Sequence, residues 1–374
     1  MQGDTAHQEK HFEAYIVQQL QKQGWQVGDT RHYDTERALY PDDLVAWLEA
    51  TQPEKWAKLC KDHPADPRGA LMDRLAKTLE ADGTVQALRR GFAIAGCGHI
   101  DLSEAAPEDA RNAEVTKRYE ANILRVVPQL KYHPARELAI DLVFFINGVP
   151  VATVEVKTEF TQSADAAVEQ YKTDRLPQDP KTKRREPLLT FKRGAVVHFA
   201  LSDSDIQMAT KLDGENTFFL PFNQGNEGHA GNPARTDGEY PVAYFWEKVC
   251  QRDAWLRIFH SFVYVEQKDV VDLKGNWSKK ETLIFPRYHQ WDAVNAMIAD
   301  AKANGPGMQY LCEHSAGSGK TSTIAWTAHD LIRLRRDNGE PIFHSVIIVT
   351  DRTVLDSQLQ DAVKQIDHQF GVIA

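Results

Sequence analysis

The chain has 374 residues, 42% of them hydrophobic and 26% charged, and a formal net charge of −9. That is enough sequence for two or three domains with proper cores, in the composition of an ordinary globular protein. No apolar run is long enough to span a membrane, the polar start Met1-Gln2-Gly3-Asp4 is not that of a signal peptide, and the acidic balance excludes a nonspecific nucleic-acid coat while leaving room for a locally basic cleft. Cys60, Cys97, Cys250 and Cys312 lack metal-ligand spacing, so reduced thiols in the cytoplasm are expected.

Residues 7–23 carry Phe12, Tyr15, Ile16 and Leu20 at helical spacing, with Gly24 where a helix would stop. Glu13 lies beside that stripe. It is an additional candidate active-site carboxylate if this helix packs behind the strands that follow; a solvated helix glutamate is the plain alternative. Pro41 to Leu88 reads as short helices divided by Pro53, Pro64 and Pro67, residues 92–109 as irregular, and a short helix through Tyr119 leads into strand pattern around Val126 and Leu130.

Residues 137–157 concentrate the candidate chemistry. Two runs rich in Val, Ile and Phe flank Asn147-Gly148, the signal of a β-hairpin. Asp141 interrupts one run, and Glu155 and Lys157 interrupt the other. Two carboxylates and an ammonium on a mostly buried hairpin are tolerable if a metal ion and a phosphodiester share the site. A two-residue loop would put Asp141 opposite Val154, on the wrong face. The spacing therefore predicts a three-residue loop, Ile146-Asn147-Gly148, with Asp141 opposite Thr153 and on the face of Glu155 and Lys157. A structural ion pair is the alternative reading.

Beyond Lys157, residues 158–176 suggest a helix behind the hairpin, from which Gln170, Tyr171 and Asp174 would reach DNA or simply pack. Lys181, Lys183, Arg184, Arg185, Lys192 and Arg193 make up the most basic stretch, either a solvated loop or a phosphate-contacting surface. Ala195–Leu201 is a strand pattern that extends the sheet, residues 213–240 are loop-like, and an aromatic helix through Trp246, Trp255 and Phe262 precedes a polar stretch expected to be a linker.

A second constellation follows. Tyr310-Leu-Cys is an apolar lead-in to His314-Ser-Ala-Gly317-Ser-Gly319-Lys320-Thr321 and an apolar helix. This is the pattern of a phosphate-binding loop, with His314 in place of its first glycine: the glycines let backbone N–H groups wrap phosphates, Lys320 reaches the terminal phosphates and Thr321 holds magnesium. Upstream, Gln290 is expected near an adenine. Downstream, Ser345–Thr350 reads as a buried parallel strand ending in the polar turn Asp351-Arg352.

Together these motifs make the chain resemble the N-terminal part of the restriction subunit, the motor and nuclease, of type I restriction-modification enzymes. The resemblance rests on Asp141 with Glu155-Val-Lys157, Leu220-Pro-Phe-Asn with Gly231-Asn-Pro233, Arg287-Tyr-His-Gln290, the loop at 314–321, and Val349-Thr-Asp-Arg352 with Leu355 and Gln358. The family's Gln-x-x-x-Tyr element is not reproduced, since Asp174 stands four places after Gln170. The resemblance implies an α/β chain: a restriction-endonuclease-like, Asp…Glu-x-Lys mixed-sheet domain over 1–265 with a helical insertion at about 40–125, a linker at 266–280, and the incomplete start of a RecA-like superfamily 2 helicase lobe over 281–374.

On that reading Asp141, Glu155 and the Val156 carbonyl would bind Mg2+, and Lys157 would orient or deprotonate the attacking water. Gln290, Gly317, Gly319, Lys320 and Thr321 would bind ATP, and Gln170, Lys183, Arg184, Arg185 and Arg352 would touch DNA. The expected activity is that of a type I site-specific deoxyribonuclease, a metal-dependent endonuclease and ATP-driven translocase. Its partners would be double-stranded DNA and the methyltransferase and specificity subunits, with no membrane. The motor would be truncated here and would not hydrolyse ATP by itself. The competing expectations are a nuclease-dead ATP- and DNA-binding module and a nonfunctional truncated product that docks onto partner subunits.

Overall fold

Val, Ile, Leu and Phe alternate or run together over three neighbouring stretches, and these form the middle of the main sheet. In the computed structural model, which describes residues 2–107, 111–158, 163–271, 275–350 and 353–366, the chain divides into two units, Met1–Ala105 with Lys117–His260, and Ala106–Thr116 with Ser261–Ala374.

In the first unit α1 (Gln2–Lys22) and β1 (Gln26–Val27) precede four helices, α2 (Pro41–Thr51), α3 (Pro53–Asp62), α4 (Pro67–Asp82) and α5 (Thr84–Arg90), and a small hairpin of β2 (Phe92–Ile94) and β3 (Gly98–Ile100). Pro41, Pro53 and Pro67 each open a helix, where a missing N–H costs nothing. After α6 (Ala113–Glu120) come β4 (Leu124–Lys131), β5 (Ala139–Ile146), β6 (Val149–Val156), α7 (Ala164–Thr173), β7 (Val197–Leu201), β8 (Ile206–Ala209) and β9 (Leu220–Pro221). The sheet order is β1-β4-β5-β6-β7-β8-β9, parallel at β1–β4 and β6–β7 and antiparallel elsewhere.

The two faces of the sheet have different cores. One buries an aromatic cluster in which Trp25 meets Phe144 and Phe199 meets Phe245, each pair at 5.0 Å and edge to face. Phe245 and its neighbours come from two π-helical turns, Phe245–Val249 and Ile258–Phe262, on either side of α8 (Arg252–Arg257). α1 packs on β4 and β6 through buried Phe12, Ile16 and Leu20. The opposite face buries Val143, Phe145, Tyr171, Leu188 and Leu212, with α7 packed on β6 and β7.

The β5–β6 connection differs from the expected loop. Asn147 and Gly148, at φ 48° and 83°, form a two-residue turn closed by the pair Ile146↔Val149. The extra residue lies inside β6 instead: Phe145 pairs with Pro150 and Phe144 with Ala152, so Val151 is bulged. Pro150 has no N–H to give the ladder, which makes this the natural place for the irregularity. The bulge shifts the register so that Thr153 faces Val143 and Asp141 comes alongside Glu155, one pair beyond Leu142↔Val154. Asn147 is fully buried: its amide donates to Leu102 O and Asn122 Oδ1, and its Oδ1 accepts from Ile123 N.

In the second unit, the stretch expected to be a linker is part of an antiparallel hairpin, β10 (Tyr264–Val271) and β11 (Trp277–Ile284). Most of its residues face solvent, which is why its apolar periodicity is weak. α9 (Tyr288–Asn304), α10 (Lys320–Arg333) and α11 (Thr353–Ile366) follow, with α10 packed on α9 and α11. The strand expected at 345–350 and the apolar lead-in at 310–312 make no β-ladder among the described residues. Leu311 is 92% exposed, Ile347 83% and Val349 87%. Parallel strands persist when neighbours and covering helices bury them, and no described strand lies beside these segments. No described helix is long and apolar enough to cross a membrane.

A Cβ at Gly148 would stand 2.4 Å from the Tyr40 carbonyl oxygen, in addition to the unfavourable φ. Gly148→Ala should therefore destabilise the chain by about 2–3 kcal/mol, read as a lowered denaturant midpoint with unchanged slope.

Candidate functional site

The site lies where β5 begins and β6 ends. Asp141 Oδ2 accepts the Val156 N–H at 2.8 Å, and its Oδ1 accepts from Gln129 Nε2 at 3.0 Å. Gln129 has φ 47° and falls between the pairs Pro128↔Leu142 and Leu130↔Ile140, directly across from Asp141. The same amide nitrogen donates to Glu13 Oε2 at 2.6 Å, so α1 brings its carboxylate to the rim. Burial, with Asp141 adding to it against the opposing Gln129 bond, pushes Glu13 up to about 7.

Glu155 is fully buried. Arg175, just past α7, donates from Nε to Glu155 Oε1 at 2.5 Å and from Nη2 to the Ala139 carbonyl at 2.7 Å. Glu155 Oε2 is buried without a donor. Burial first, then repulsion from Asp141, outweighs the pull of Arg175 and raises Glu155 to about 8. Lys157 donates its backbone N–H to Leu201 O at 2.8 Å, and its Nζ stands 3.6 Å from Glu9 Oε2, one helical turn before Glu13. Behind Glu155, Thr153 Oγ1 links Tyr171 OH and His198 Nδ1, both at 2.8 Å, pinning α7 to the sheet. Burial pushes His198 down to about 3, so it is neutral.

Asp141, Glu155, Lys157 and Glu13 thus come together as an oxygen-rich cluster with one ammonium. No group of three or more His, Cys, Asp and Glu among the described residues forms a ready metal cage. Magnesium does not require one: it keeps several waters and is held by one or two carboxylates with substrate phosphates. The unpaired Glu155 Oε2 beside Asp141 fits that chemistry.

In the second unit, the loop before α10 has Gly317 and Gly319 at φ 73° and 84°. Three side chains at the start of α9 and just before it hold its carbonyls: Arg287 bonds Gly317 O, His289 contacts Ser318 O and Gln290 bonds Gly319 O, at 2.9, 3.2 and 2.9 Å. Gln290 Oε1 accepts the Arg287 N–H at 2.9 Å, so the amide expected beside an adenine is tied both to the approach of α9 and to the loop. Lys320 Nζ folds back onto His314 O and Ser315 O at 2.8 and 3.1 Å, and Thr321 follows in the first turn of α10.

Residues 7–217 match the family described as Type I restriction enzyme R protein N terminus. The chain belongs to that family. Residues 289–372 match the family described as SWI2/SNF2 ATPase. This R protein chain is 26% identical over 259 residues to the protein of Methanocaldococcus jannaschii named as the MjaVIIIP endonuclease subunit of a type I restriction enzyme; the match covers 66% of this chain and 22% of that one. It is 24% identical over 244 residues to the HindI type I endonuclease subunit of Haemophilus influenzae, covering 61% and 21%. The chain therefore spans about a fifth of the length of the curated relatives it matches.

The other site residues expected in the R protein chain are more dispersed. Lys183 is exposed, at φ 60°, Arg184 pairs with Glu36 at 3.1 Å, and Arg185 pairs with Glu80 at 2.8 Å. Gln170 lies on α7 with its Oε1 buried and unpartnered, and Arg352 falls outside the described residues. Three participants escape the sequence reading, Arg175, Gln129 and Glu9. Nothing near Arg175 in the chain points to Glu155, twenty residues away. Gln129 left a faint trace, a polar residue after Pro128 in an apolar strand.

Because Glu155 carries its proton to a higher pH when folded than when unfolded, the stability this confers is complete at low pH and lost as pH rises toward 8. Thermal melting of the metal-free chain should fall between about pH 5 and 8, and Glu155→Gln should flatten that slope. Arg175→Met removes the group that pulls Glu155 down, so it should lower the thermal midpoint and carry the decline of stability with pH to higher pH. A decline centred at the parent's pH in that variant would contradict the pairing role.

Proposed function

We propose that this chain carries the DNA-cutting centre of a type I restriction enzyme, hydrolysing phosphodiesters of duplex DNA at Asp141, Glu155 and Lys157 with a divalent metal ion. The observation that carries the reading is the convergence, on one face of β5 and β6, of two carboxyls so close that Glu155 is held near pKa 8 by burial and by Asp141. Carboxylates driven together in this way are expensive for a purely structural role and useful for a cation and a phosphate.

Asp141, Glu155 and the Val156 carbonyl would hold magnesium, which when bound supplies Lewis acidity and a bound water of lowered pKa. Arg175 fixes one oxygen of Glu155 and leaves the other for the cation. Lys157, steadied by Glu9, would orient the attacking water and stabilise charge on the phosphate as one P–O bond forms and another breaks. Glu13, raised to about 7, is placed to take up the water's proton near neutrality.

The second unit would bind ATP and magnesium through Gly317, Gly319, Lys320 and Thr321, and in the longer polypeptide ATP would drive translocation along DNA. Methyltransferase and specificity subunits would be the partners. A second reading, a nuclease-dead ATP- and DNA-binding module, draws on the buried Arg175–Glu155 ion pair, which is what a purely structural network would also show.

Plasmid cutting by the full-length subunit assembled with its partners separates the two. Lys157→Ala should lower magnesium-dependent cutting by about 10²-fold or more while ATP hydrolysis stays near the parent rate. Undiminished cutting would remove the nuclease assignment. Metal affinity of the chain, measured by calorimetry, should rise from pH 6 to pH 8 as Glu155 and Glu13 lose their protons.

A further inference from the structure

The basic stretch after α7 is only partly absorbed by the site above. It contributes to a cleft of about 420 Å3 between the end of α4, residues 177–193 and residues 211–213. Arg185, Lys192, Arg193 and Lys211 line it against Glu80 and Asp213, a local excess of positive charge in a chain whose net charge is −9. Arg193 is the unusual member. Its side chain is only 8% exposed; Nη2 donates to the Arg37 carbonyl at 2.7 Å and Nε stands 3.8 Å from Glu80 Oε2. Its Nη1 is buried with no acceptor. A guanidinium N–H held this way lacks an oxygen that the protein does not supply.

The cleft is also in the right place relative to the candidate cutting centre. Arg175, which holds Glu155, is followed two and three residues on by Pro177 and Gln178, which line the cleft. Three residues of chain span at most ~11 Å, so the wall of the cleft at Pro177 and Gln178 starts within about that distance of the Arg175 main chain. The segment is stiff: Gln178 bridges Arg185, and the Glu186 N–H donates to Pro177 O at 2.9 Å.

We propose that this cleft grips the sugar-phosphate backbone of duplex DNA a few nucleotides from the scissile bond, with Arg193, Lys192 and Lys211 on phosphate oxygens. The choice of DNA as ligand rests on the nuclease reading, whereas the anion site rests on the cleft itself.

Fluorescence anisotropy of a labelled duplex, with the full chain carrying Asp141→Asn and no divalent metal present, tests it. Lys192→Ala with Lys211→Ala should raise Kd about 10-fold or more and make the plot of log Kd against log salt shallower by about 2. The thermal midpoint should not change. Arg193→Lys, which keeps the charge but loses the fork, should weaken binding less than Arg193→Met. Unchanged affinity and salt slope in a folded double variant would overturn the proposal. So would displacement of the duplex by orthophosphate or ATP at constant ionic strength, since that would make the cleft a site for a free phosphate-bearing ligand. If the full-length subunit fails to cut yet the cleft variants still lose DNA, the nuclease reading falls and the cleft stands.

Discussion

A single bulged residue, Val151, decides which charged side chains of the first unit share a face. Side chains on a strand alternate with a period of two, so one inserted residue exchanges the faces of everything beyond it. With the tight Asn147-Gly148 turn and no bulge, Asp141 would face Val154 and point away from Glu155. With the bulge, the two carboxyls lie side by side, and the rest of the site answers that crowding. Arg175 reaches back from the end of α7 to one of them, Gln129 bends out of line to bond the other, and Thr153 ties α7 to His198 so that Arg175 stays within reach.

Charge placement follows from the same crowding. The innermost carboxyl, Glu155, is dry and half compensated; Asp141 is bonded by a backbone N–H and a side-chain amide; Glu13 and Glu9 belong to a different element, α1. The sheet therefore supplies the fixed part of the site, and the helix supplies an outer pair of carboxylates spaced by one turn. In the second unit the arrangement is reversed. There the loop carbonyls are held by Arg287, His289 and Gln290, which leaves the loop's shape set by side chains from α9 and its approach.

The hairpin, its charged interruptions and the glycine loop could be read in the sequence because each is a local pattern with a physical cause. Placing the extra residue was harder, although the signal was there: Pro150, unable to donate to a ladder, marks where a central strand must be irregular, and the Asn-Gly pair already sufficed for the turn. Arg175 was not legible, since an ion pair across twenty residues leaves no periodicity. The hairpin at 264–284 looked like a linker because both its faces are largely polar. The stretch at 345–350 looked like a buried strand because its residues are those of one; their burial requires neighbours that the described residues do not provide.

The position of Glu9 and Glu13 on α1 gives the site one wall that the sheet does not supply. Both side chains ride on α1, which is seated on the sheet through buried Phe12, Ile16 and Leu20. The seating of α1 thus fixes both outer carboxylates together with the Lys157–Glu9 and Gln129–Glu13 contacts, whereas Arg175 holds Glu155 from the far end of α7. The inner and outer carboxylates therefore have separate supports in this fold: the sheet stores the geometry of Asp141 and Glu155, and the packing of one helix stores that of Glu9 and Glu13.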